Sequence, residues 1–270
     1  AAKSSSQGLN SAMEKLSTGM RINYAKDDAA GQAISTRLSA EVQGLQVASR
    51  NAADAQSMID TAEGALQETH NVLLRMRELA VQSANGTLTD GDRAHTDAEF
   101  DQLVAEVTRI ANNTTWAGKK LLNGDNASTA LSFQIGEGAN QKIDVNIADM
   151  KATAIGISGS GSSATVALSA SGLDSVSNAQ AAIGSIDAAI DSVSTARGGM
   201  GAVSNRLSST MSNLDQIAVN LSASQGRIQD ADFAQETGNL AKNQILQQAA
   251  TAMIAQANAS KSSVLTLVRG

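Results

Sequence analysis

Apolar side chains recur at steps of three and four residues along two parts of this chain, the spacing of a helix side that packs against another helix. The longest such repeat runs without a slip for five heptads and predicts one helix over residues 41–85. Asn and Gly accept the left-handed backbone that follows helix ends, so Asn85-Gly86 is the predicted stop. The positions of this repeat, which we call the seam, are Leu45, Ala48, Ala52, Ala55, Ile59, Ala62, Leu66, Thr69, Leu73, Met76 and Ala80.

A second helix is predicted to follow a short turn and to run from Thr89 to about Asn113. Thr89 and Asp92 stand three residues apart, the spacing at which two side chains cap a helix start together. Asp27 and Asp28 indicate another helix start, nearer the beginning of the chain.

The last third of the chain returns to helical spacing, over residues 176–221 and again over residues 230–267. The repeat slips at Gly198, Gly199 and Gly201. Each glycine costs about 1 kcal/mol inside a helix. We therefore expect a packing or flexibility requirement at this position.

Between the helical parts the apolar residues alternate with polar ones, which predicts a β-hairpin over about residues 131–148. Residues 155–175 are rich in Gly and Ser and are expected to form a short tip. The fold class is therefore mainly α: a long antiparallel helical coiled-coil rod with a small β-hairpin region in the middle of the chain. The alternating residues are Leu131, Phe133, Ile135, Ile143, Val145 and Ile147.

The amino-acid composition excludes or argues against several classes of function. The 270 residues include no Cys and only two His, which excludes thiol catalysis and disulfides and argues against a zinc site. A net charge of −6, with no basic cluster beyond Lys119-Lys120, argues against nucleic acid. No apolar run approaches the roughly 18 residues of a transmembrane helix, and we expect neither membrane insertion nor a cleaved secretory signal. We find no catalytic motif, and predict no enzyme and no cofactor.

Motifs at both ends of the chain resemble the terminal signatures of bacterial flagellin. The N-terminal ones are LSTGMRIN at residues 16–23, AKDDAAGQAI at residues 25–34 and RELAVQSAN at residues 77–85. The C-terminal ones are QILQQA at residues 244–249 and AQAN at residues 255–258. The resemblance extends over nearly the whole chain apart from about residues 155–175, so it is to a flagellin that lacks most of the variable outer domain.

The resemblance implies a structural subunit that polymerises into the flagellar filament for motility. It implies an inner coiled-coil domain formed by residues 1–27 and 227–270, and a rod domain over residues 28–226 with the hairpin and the tip. The family has further residues before the equivalent of Ala1, so we take the N-terminal part of the inner domain as truncated. We expect the chain as given to polymerise poorly for that reason.

The resemblance also assigns residues to the filament core. In flagellins the chain termini form the inner coiled coil, which predicts apolar packing there by seven residues near the C-terminus. Because the isolated chain offers this stretch little partner surface, we expect residues 239–267 to be poorly ordered or opportunistically paired in a monomer. The filament-core residues are Leu240, Ile245, Leu246, Ile254, Val264, Leu265 and Leu267.

Partners and location follow from the same resemblance. The predicted partners are other flagellin subunits in a helical homopolymer, the flagellar export chaperone, the filament cap and the hook-junction proteins. The chain is expected to be secreted and extracellular, in the flagellum at the cell surface. A Toll-like receptor is a further predicted partner, with contacts at Arg75, Leu79 and Glu106. The alternative function is a flagellin-like adhesin or receptor for a surface glycan, with Lys119 and Lys120 as speculative contacts.

Overall fold

The computed structural model describes the backbone of residues 2–127, 130–157 and 172–269, and the side chains of residues 3–127, 130–157 and 172–259. Long helices dominate these parts, and none of them is long and apolar enough to cross a membrane. The predicted mainly α fold with a small β region is confirmed. The helices are α1 (Ala2–Thr18), α2 (Ala29–Ser83), α3 (Asp90–Asn113), α4 (Val176–Gln229) and α5 (Phe233–Arg269).

The chain divides into two compact units. We call Ala1–Gln43 with Gln216–Gly270 the terminal unit, and Gly44–Asp215 the rod unit. The predicted filament domains, divided at residues 27–28 and 226–227, concern the assembled state and stay a prediction.

The seam predicted on α2 forms the centre of the rod unit. All eleven of its residues are buried, from Leu45 to Ala80. Helix α4 runs antiparallel to α2, because Ser49 pairs with Asp215 at one end and Arg77 with Asp187 at the other. Helix α4 contributes its own buried stripe: Ala179, Ala182, Ile186, Ala189, Val193, Met200 and Leu207.

Helix α2 begins at Ala29, well before the predicted residue 41. Asp28 caps this start, because its Oδ1 accepts the Gly31 N–H at 2.9 Å, so the helix start expected near Asp27 and Asp28 is the start of α2 itself. The residues before Leu45 lack the regular apolar repeat, which is why periodicity alone placed the start too late. The predicted stop is confirmed, since α2 ends at Ser83.

Helix α3 is capped as predicted. The Thr89 side chain accepts the Asp92 N–H, and the Asp92 side chain accepts the Thr89 N–H, which completes a capping box. Phe100 and Val107 then bury the inner side of α3 in the rod-unit core.

Two small antiparallel strand pairs lie between α3 and α4. The predicted hairpin is confirmed as β3 (Leu131–Gln134) and β4 (Lys142–Val145), with Ile143 and Val145 buried. The other pair, β1 (Thr115–Trp116) and β2 (Lys119–Lys120), was not predicted. Its strands have only two residues each and show no alternation, and its turn places Ala117 at a φ of 48° where Asn is the usual signal.

The predicted tip lies mostly outside the described residues, which omit residues 158–171. On either side of that stretch, Ile155, Ile157 and Leu173 are buried in the rod-unit core. The flanks of the Gly/Ser-rich segment therefore belong to the packed rod.

Helix α4 continues unbroken through Gly198, Gly199 and Gly201. A Cβ added at any of these glycines would meet nothing within 4 Å among the described residues. The packing requirement expected from the sequence therefore does not arise inside the described part of the chain, and the slip in the repeat is not a break in the helix.

Candidate assembly surfaces

The terminal unit pairs α1 with α5 through a buried carboxylate. Glu236 on α5 is almost fully buried, and its Oε1 lies 3.1 Å from Lys15 Nζ on α1. Asn239 Nδ2 donates to Glu236 Oε2 at 2.9 Å. These two partners, Asn239 first and Lys15 after it, hold the pKa of Glu236 below its ordinary value. A paired charge of this kind fixes the register of two helices.

The two helices also approach closely at a second point, about two turns away along each helix. A Cβ at Gly8 of α1 would lie 2.9 Å from the side chain of Asn243 on α5. A larger residue at position 8 would therefore have to displace Asn243. Lys15–Glu236 and Gly8–Asn243 together define an antiparallel pairing of α1 with the first half of α5.

Beyond this pairing α5 presents apolar side chains to solvent. Ile245 is 65% exposed and Met253 is 73% exposed, and Leu246 and Ile254 are also exposed. Part of this side borders an open groove of about 450 Å³. The groove is lined by Ser5, Leu246, Ala249, Ala250, Met253, Ile254 and Ala257.

The structure places four of the seven predicted filament-core residues. Leu240 is half-buried, and Ile245, Leu246 and Ile254 are exposed. The side chains of Val264, Leu265 and Leu267 lie outside the described residues. Met253 and Phe233 share the exposure but were absent from the predicted set, although Met253 belongs to the same apolar stripe of the sequence.

Helix α5 extends to Arg269. The apolar exposure agrees with the reason given for the expectation, a lack of partner surface, while poor order or opportunistic pairing of residues 239–267 in a monomer stays a prediction. An exposed stripe of this size on one helix is a surface that another molecule can cover.

The predicted receptor residues lie on α2 and α3 of the rod unit. Arg75 donates to Glu99 of α3 through Nε at 2.9 Å and through Nη2 at 2.8 Å, and to Glu78 through Nη1 at 2.9 Å. Glu99 is the main cause, and Glu78 the second, of a raised pKa of Arg75. Arg75 is thus held in place on the surface by two carboxylates.

The other two predicted receptor residues differ in accessibility. Glu106 on α3 pairs with Arg109, whose Nη2 lies 2.5 Å from Glu106 Oε1, and this pair lowers the pKa of Glu106. Leu79 is 1% exposed and packs in the rod-unit core. The structure therefore brings Arg75 and Glu106 to the surface of adjacent helices, while the Leu79 side chain offers a partner no surface.

A second apolar surface lies on α2, and sequence reasoning missed it. Leu74 and Val81 are both about half exposed and stand one heptad apart, beside Arg77, Glu78 and Gln82. The heptad spacing off the seam was the signal that could have found them. Lys119 and Lys120 are exposed on β2, and we find no ion pair to either within the described parts of the chain.

Among the described residues, no three His, Asp or Glu side chains are grouped so that they could hold a metal ion. What the chain offers instead is a self-contained helical rod and a terminal helix with an uncovered apolar side. Such features define the class of structural proteins that assemble through helix–helix contacts.

Comparison with known proteins identifies the family within this class to which the chain belongs. The bacterial flagellin N-terminal helical region matches residues 1–127, and the bacterial flagellin C-terminal helical region matches residues 183–268. The chain is 44% identical over 258 residues to a flagellin of Halalkalibacterium halodurans, covering 96% of this chain and 91% of that one. It is 43% identical to a flagellin of Bacillus subtilis, covering 95% and 91%.

Solved structures agree. The crystal structure of Bacillus cereus flagellin aligns with a TM-score of 0.51 at 29% identity, covering 65% of this chain and 94% of that one. A putative flagellar hook-associated protein from Vibrio parahaemolyticus shares the fold with a TM-score of 0.63, at 18% identity. The chain belongs to the bacterial flagellin family, and it is a structural subunit of the flagellar filament, which serves motility.

Proposed function

We propose that the apolar side of α5 is the surface through which this flagellin joins other subunits in the filament. The observation that supports the proposal is that Ile245, Leu246, Met253 and Ile254 stay exposed although α5 already pairs with α1. A neighbouring subunit that covers this side removes the apolar area from water. Head-to-tail contacts that do not close into a ring then extend into a filament.

Covering this side of α5 would contribute substantially to assembly. Burial of one fully exposed large aliphatic side chain stabilises a complex by about 1.5–3 kcal/mol. Because the four side chains are between 45% and 73% exposed, covering what remains would contribute about 3.5–7 kcal/mol before the costs of association and ordering are subtracted. Substitution of one central residue should therefore weaken assembly strongly without affecting the rod unit.

The test compares two substitutions on the same helix. Ile245→Asp puts a charge on the apolar side, and Gln248→Asp puts the same charge at another exposed position of α5. Each purified chain is added to seeds of sheared flagellar filament, and the sedimented fraction is measured. The chain as given is expected to polymerise poorly, so the test compares each variant with the unaltered chain. We expect Gln248→Asp to sediment with the seeds to the same extent as the unaltered chain, and Ile245→Asp to stay in the supernatant.

Two outcomes would contradict the proposal. Equal sedimentation of Ile245→Asp and Gln248→Asp would show that assembly does not use this side of α5. Loss of sedimentation by Gln248→Asp as well as by Ile245→Asp would show that a charge anywhere on α5 blocks addition, so that the apolar side is not the specific assembly surface. Helix content by circular dichroism identifies any variant that has simply unfolded.

The filament is extracellular, so the chain is exported before it assembles. We propose that the flagellar export chaperone covers the same side of α5 before secretion, since an uncovered apolar stripe invites premature association. Ile245→Asp should then weaken chaperone binding as well as filament growth. Contacts with the filament cap and the hook-junction proteins are proposed from family resemblance alone.

Engagement of a Toll-like receptor by Arg75, Leu79 and Glu106 stays a proposal. Its support is that Arg75 and Glu106 lie on the surface of adjacent helices. A receptor-reporter assay should show reduced signalling for Arg75→Ala and Glu106→Ala. Leu79→Ala should reduce signalling only in proportion to its effect on stability, because its side chain is buried.

We propose no catalytic role, in keeping with the structural family. The comparisons lend no support to the adhesin or glycan-receptor alternative, and the exposure of Lys119 and Lys120 alone does not favour it. The filament subunit is therefore the function that we carry forward.

A further inference from the structure

The chain contains the dipeptide Asn-Gly twice, and the structure holds the two copies very differently. Asn85-Gly86 lies in the exposed turn between α2 and α3. Asn123-Gly124 lies in the partly buried segment after β2. Asn-Gly is the dipeptide in which a backbone amide attacks the preceding side chain most readily, because glycine has no Cβ to hinder the approach.

We propose that Asn85 is a site of spontaneous deamidation, and that Asn123 is protected from the same reaction by its surroundings. In the reaction the Gly86 backbone nitrogen loses its proton and attacks Cγ of Asn85. A new N–Cγ bond closes a succinimide ring, the Cγ–Nδ2 bond breaks, and ammonia leaves. Water then opens the ring at either carbonyl and gives aspartate or isoaspartate, so one water enters and one ammonia leaves.

The geometry at Asn85 favours the attack. The Thr87 N–H donates to Asn85 Oδ1 at 3.2 Å, which folds the side chain back over the Gly86 amide. Gly86 has open space around it, because an added Cβ would meet nothing within 4 Å. We find no partner for Asn85 Nδ2 in the described part of the chain, so the leaving amide is not restrained.

Asn123 has a similar fold-back but is clamped. The Asp125 N–H donates to Asn123 Oδ1 at 3.3 Å, and Asn123 Nδ2 donates to Asp125 Oδ2 at 2.7 Å. Gly124 has a φ of 88°, and a Cβ there would lie 2.6 Å from Asp149 Oδ2. The amide that must leave is therefore bound to a carboxylate, and the glycine that must move lies against Asp149.

Deamidation at position 85 would affect a buried contact. The Asn85 carbonyl oxygen accepts from Arg93 Nη2 at 3.0 Å, and Arg93 Nε donates to the Ser83 carbonyl oxygen at 3.1 Å. Arg93 is buried and so connects the end of α2 to the start of α3. Isoaspartate inserts one carbon into the backbone at residue 85, because the main chain then runs through Cγ, and the carbonyl that Arg93 holds becomes a free carboxylate outside the main chain. The turn that connects α2 to α3 therefore cannot keep its geometry. The modified chain should unfold at a lower temperature.

The test measures both sites in one digest. The folded chain is incubated in mildly alkaline buffer, and trypsin then separates the two sites into residues 78–93 and residues 121–142. Mass spectrometry and chromatography quantify aspartate and isoaspartate in each peptide over time. We expect Asn85 to react at least about tenfold faster than Asn123, the factor that corresponds to retaining one charge-assisted hydrogen bond during the reaction.

The same incubation in denaturant is the control. Unfolding removes every contact, so the two Asn-Gly sites should then react at similar rates. A second control is Gly86→Ala, which the open space and the ordinary φ at Gly86 allow without strain. This variant should deamidate at Asn85 far more slowly and should therefore keep its melting temperature during incubation, while the unaltered chain loses stability as isoaspartate accumulates.

Clear outcomes overturn the proposal. Equal rates at Asn85 and Asn123 in the folded chain would show that local sequence, not structure, controls the reaction. A faster reaction at Asn123, or none at Asn85, would contradict the assignment directly. Accumulation of isoaspartate at Asn85 with no loss of melting temperature would overturn the part of the proposal that concerns Arg93.

Discussion

Apolar residues recur at helical spacing in both the rod unit and the terminal unit, but the chain buries them in the first and leaves them exposed in the second. In the rod unit every seam residue of α2 is buried within the chain. In the terminal unit Glu236 is the one buried side chain on the described part of α5, while Ile245 and Met253 are exposed. A repeat of apolar residues thus indicates that a helix packs against a partner. It does not indicate whether that partner belongs to the same chain.

The difference has a physical cause in the number of partners. Around α2 the rod unit assembles α3, α4 and the β3–β4 hairpin, whose buried residues form one continuous core. In the described part of the chain α5 packs against α1, a helix with Ser, Gly and Ala at many positions. Apolar area that no partner covers contributes nothing to monomer stability and remains for assembly.

The sharpest test of this comparison truncates one large aliphatic residue in each unit. Leu66→Ala should destabilise the rod unit by about 2–5 kcal/mol, because Leu66 is fully buried in the core. Ile245→Ala should change monomer stability by less than about 0.5 kcal/mol, because its side chain is exposed. Thermal and denaturant unfolding followed by circular dichroism measures both. Similar losses for the two variants would show that α5 is packed in the monomer after all.

Much of the rod unit could be predicted from the sequence, for a reason that the seam makes plain. Where a helix has its partners in the same chain, periodicity identifies the buried side, and Leu45 through Ala80 follow it without exception. The capping box of Thr89 and Asp92 could also be predicted, since it depends only on two residues that are three apart in the sequence.

What the sequence could not show depends on tertiary context. The β1–β2 turn uses Ala117 in the left-handed region, a conformation that the residue type does not signal. The buried Arg93 gave no periodic signal, because its role is to bind carbonyl groups at the end of another helix. The burial of Leu79 was missed as well: it lies beside the seam and is covered by neighbours whose position only the fold defines.

The next largest predicted loss of stability follows from substitution of Arg93, which lies in the rod unit. Arg93→Ala should cost about 1–3 kcal/mol, because the carbonyl groups of Ser83 and Asn85 lose a buried charged donor. Arg109→Ala is the matched control: Arg109 lies on the same helix in an exposed ion pair with Glu106, and its removal should cost at most about 1 kcal/mol. Equal unfolding midpoints for the two variants would contradict the role assigned to Arg93.

The smallest predicted effect is a pH dependence of stability that has opposite signs in the two units. Glu236 in the terminal unit has a pKa lowered by Asn239 and Lys15 from its ordinary 4.5, so the folded state binds fewer protons than the unfolded state. Its contribution to stability is complete above pH 4.5 and is lost as the pH falls through the lowered pKa. Asp101 in the rod unit has a pKa raised by burial, and then by Asp97, from its ordinary 3.8. Its contribution is present below pH 3.8 and is lost as the pH rises through the raised pKa.

Two neutral variants measure these opposite signs. The melting temperature of Glu236→Gln should lie below that of the unaltered chain at neutral pH, and the gap should close on acidification. Asp101→Asn should instead melt slightly above the unaltered chain at neutral pH, and this gap should also close in acid, where both side chains are uncharged. Each gap is read from circular dichroism melts at a series of pH values. A Glu236→Gln gap that widens in acid would show that Lys15 and Asn239 do not stabilise the carboxylate, and the paired start of α5 would then have to be held by packing at Gly8 instead.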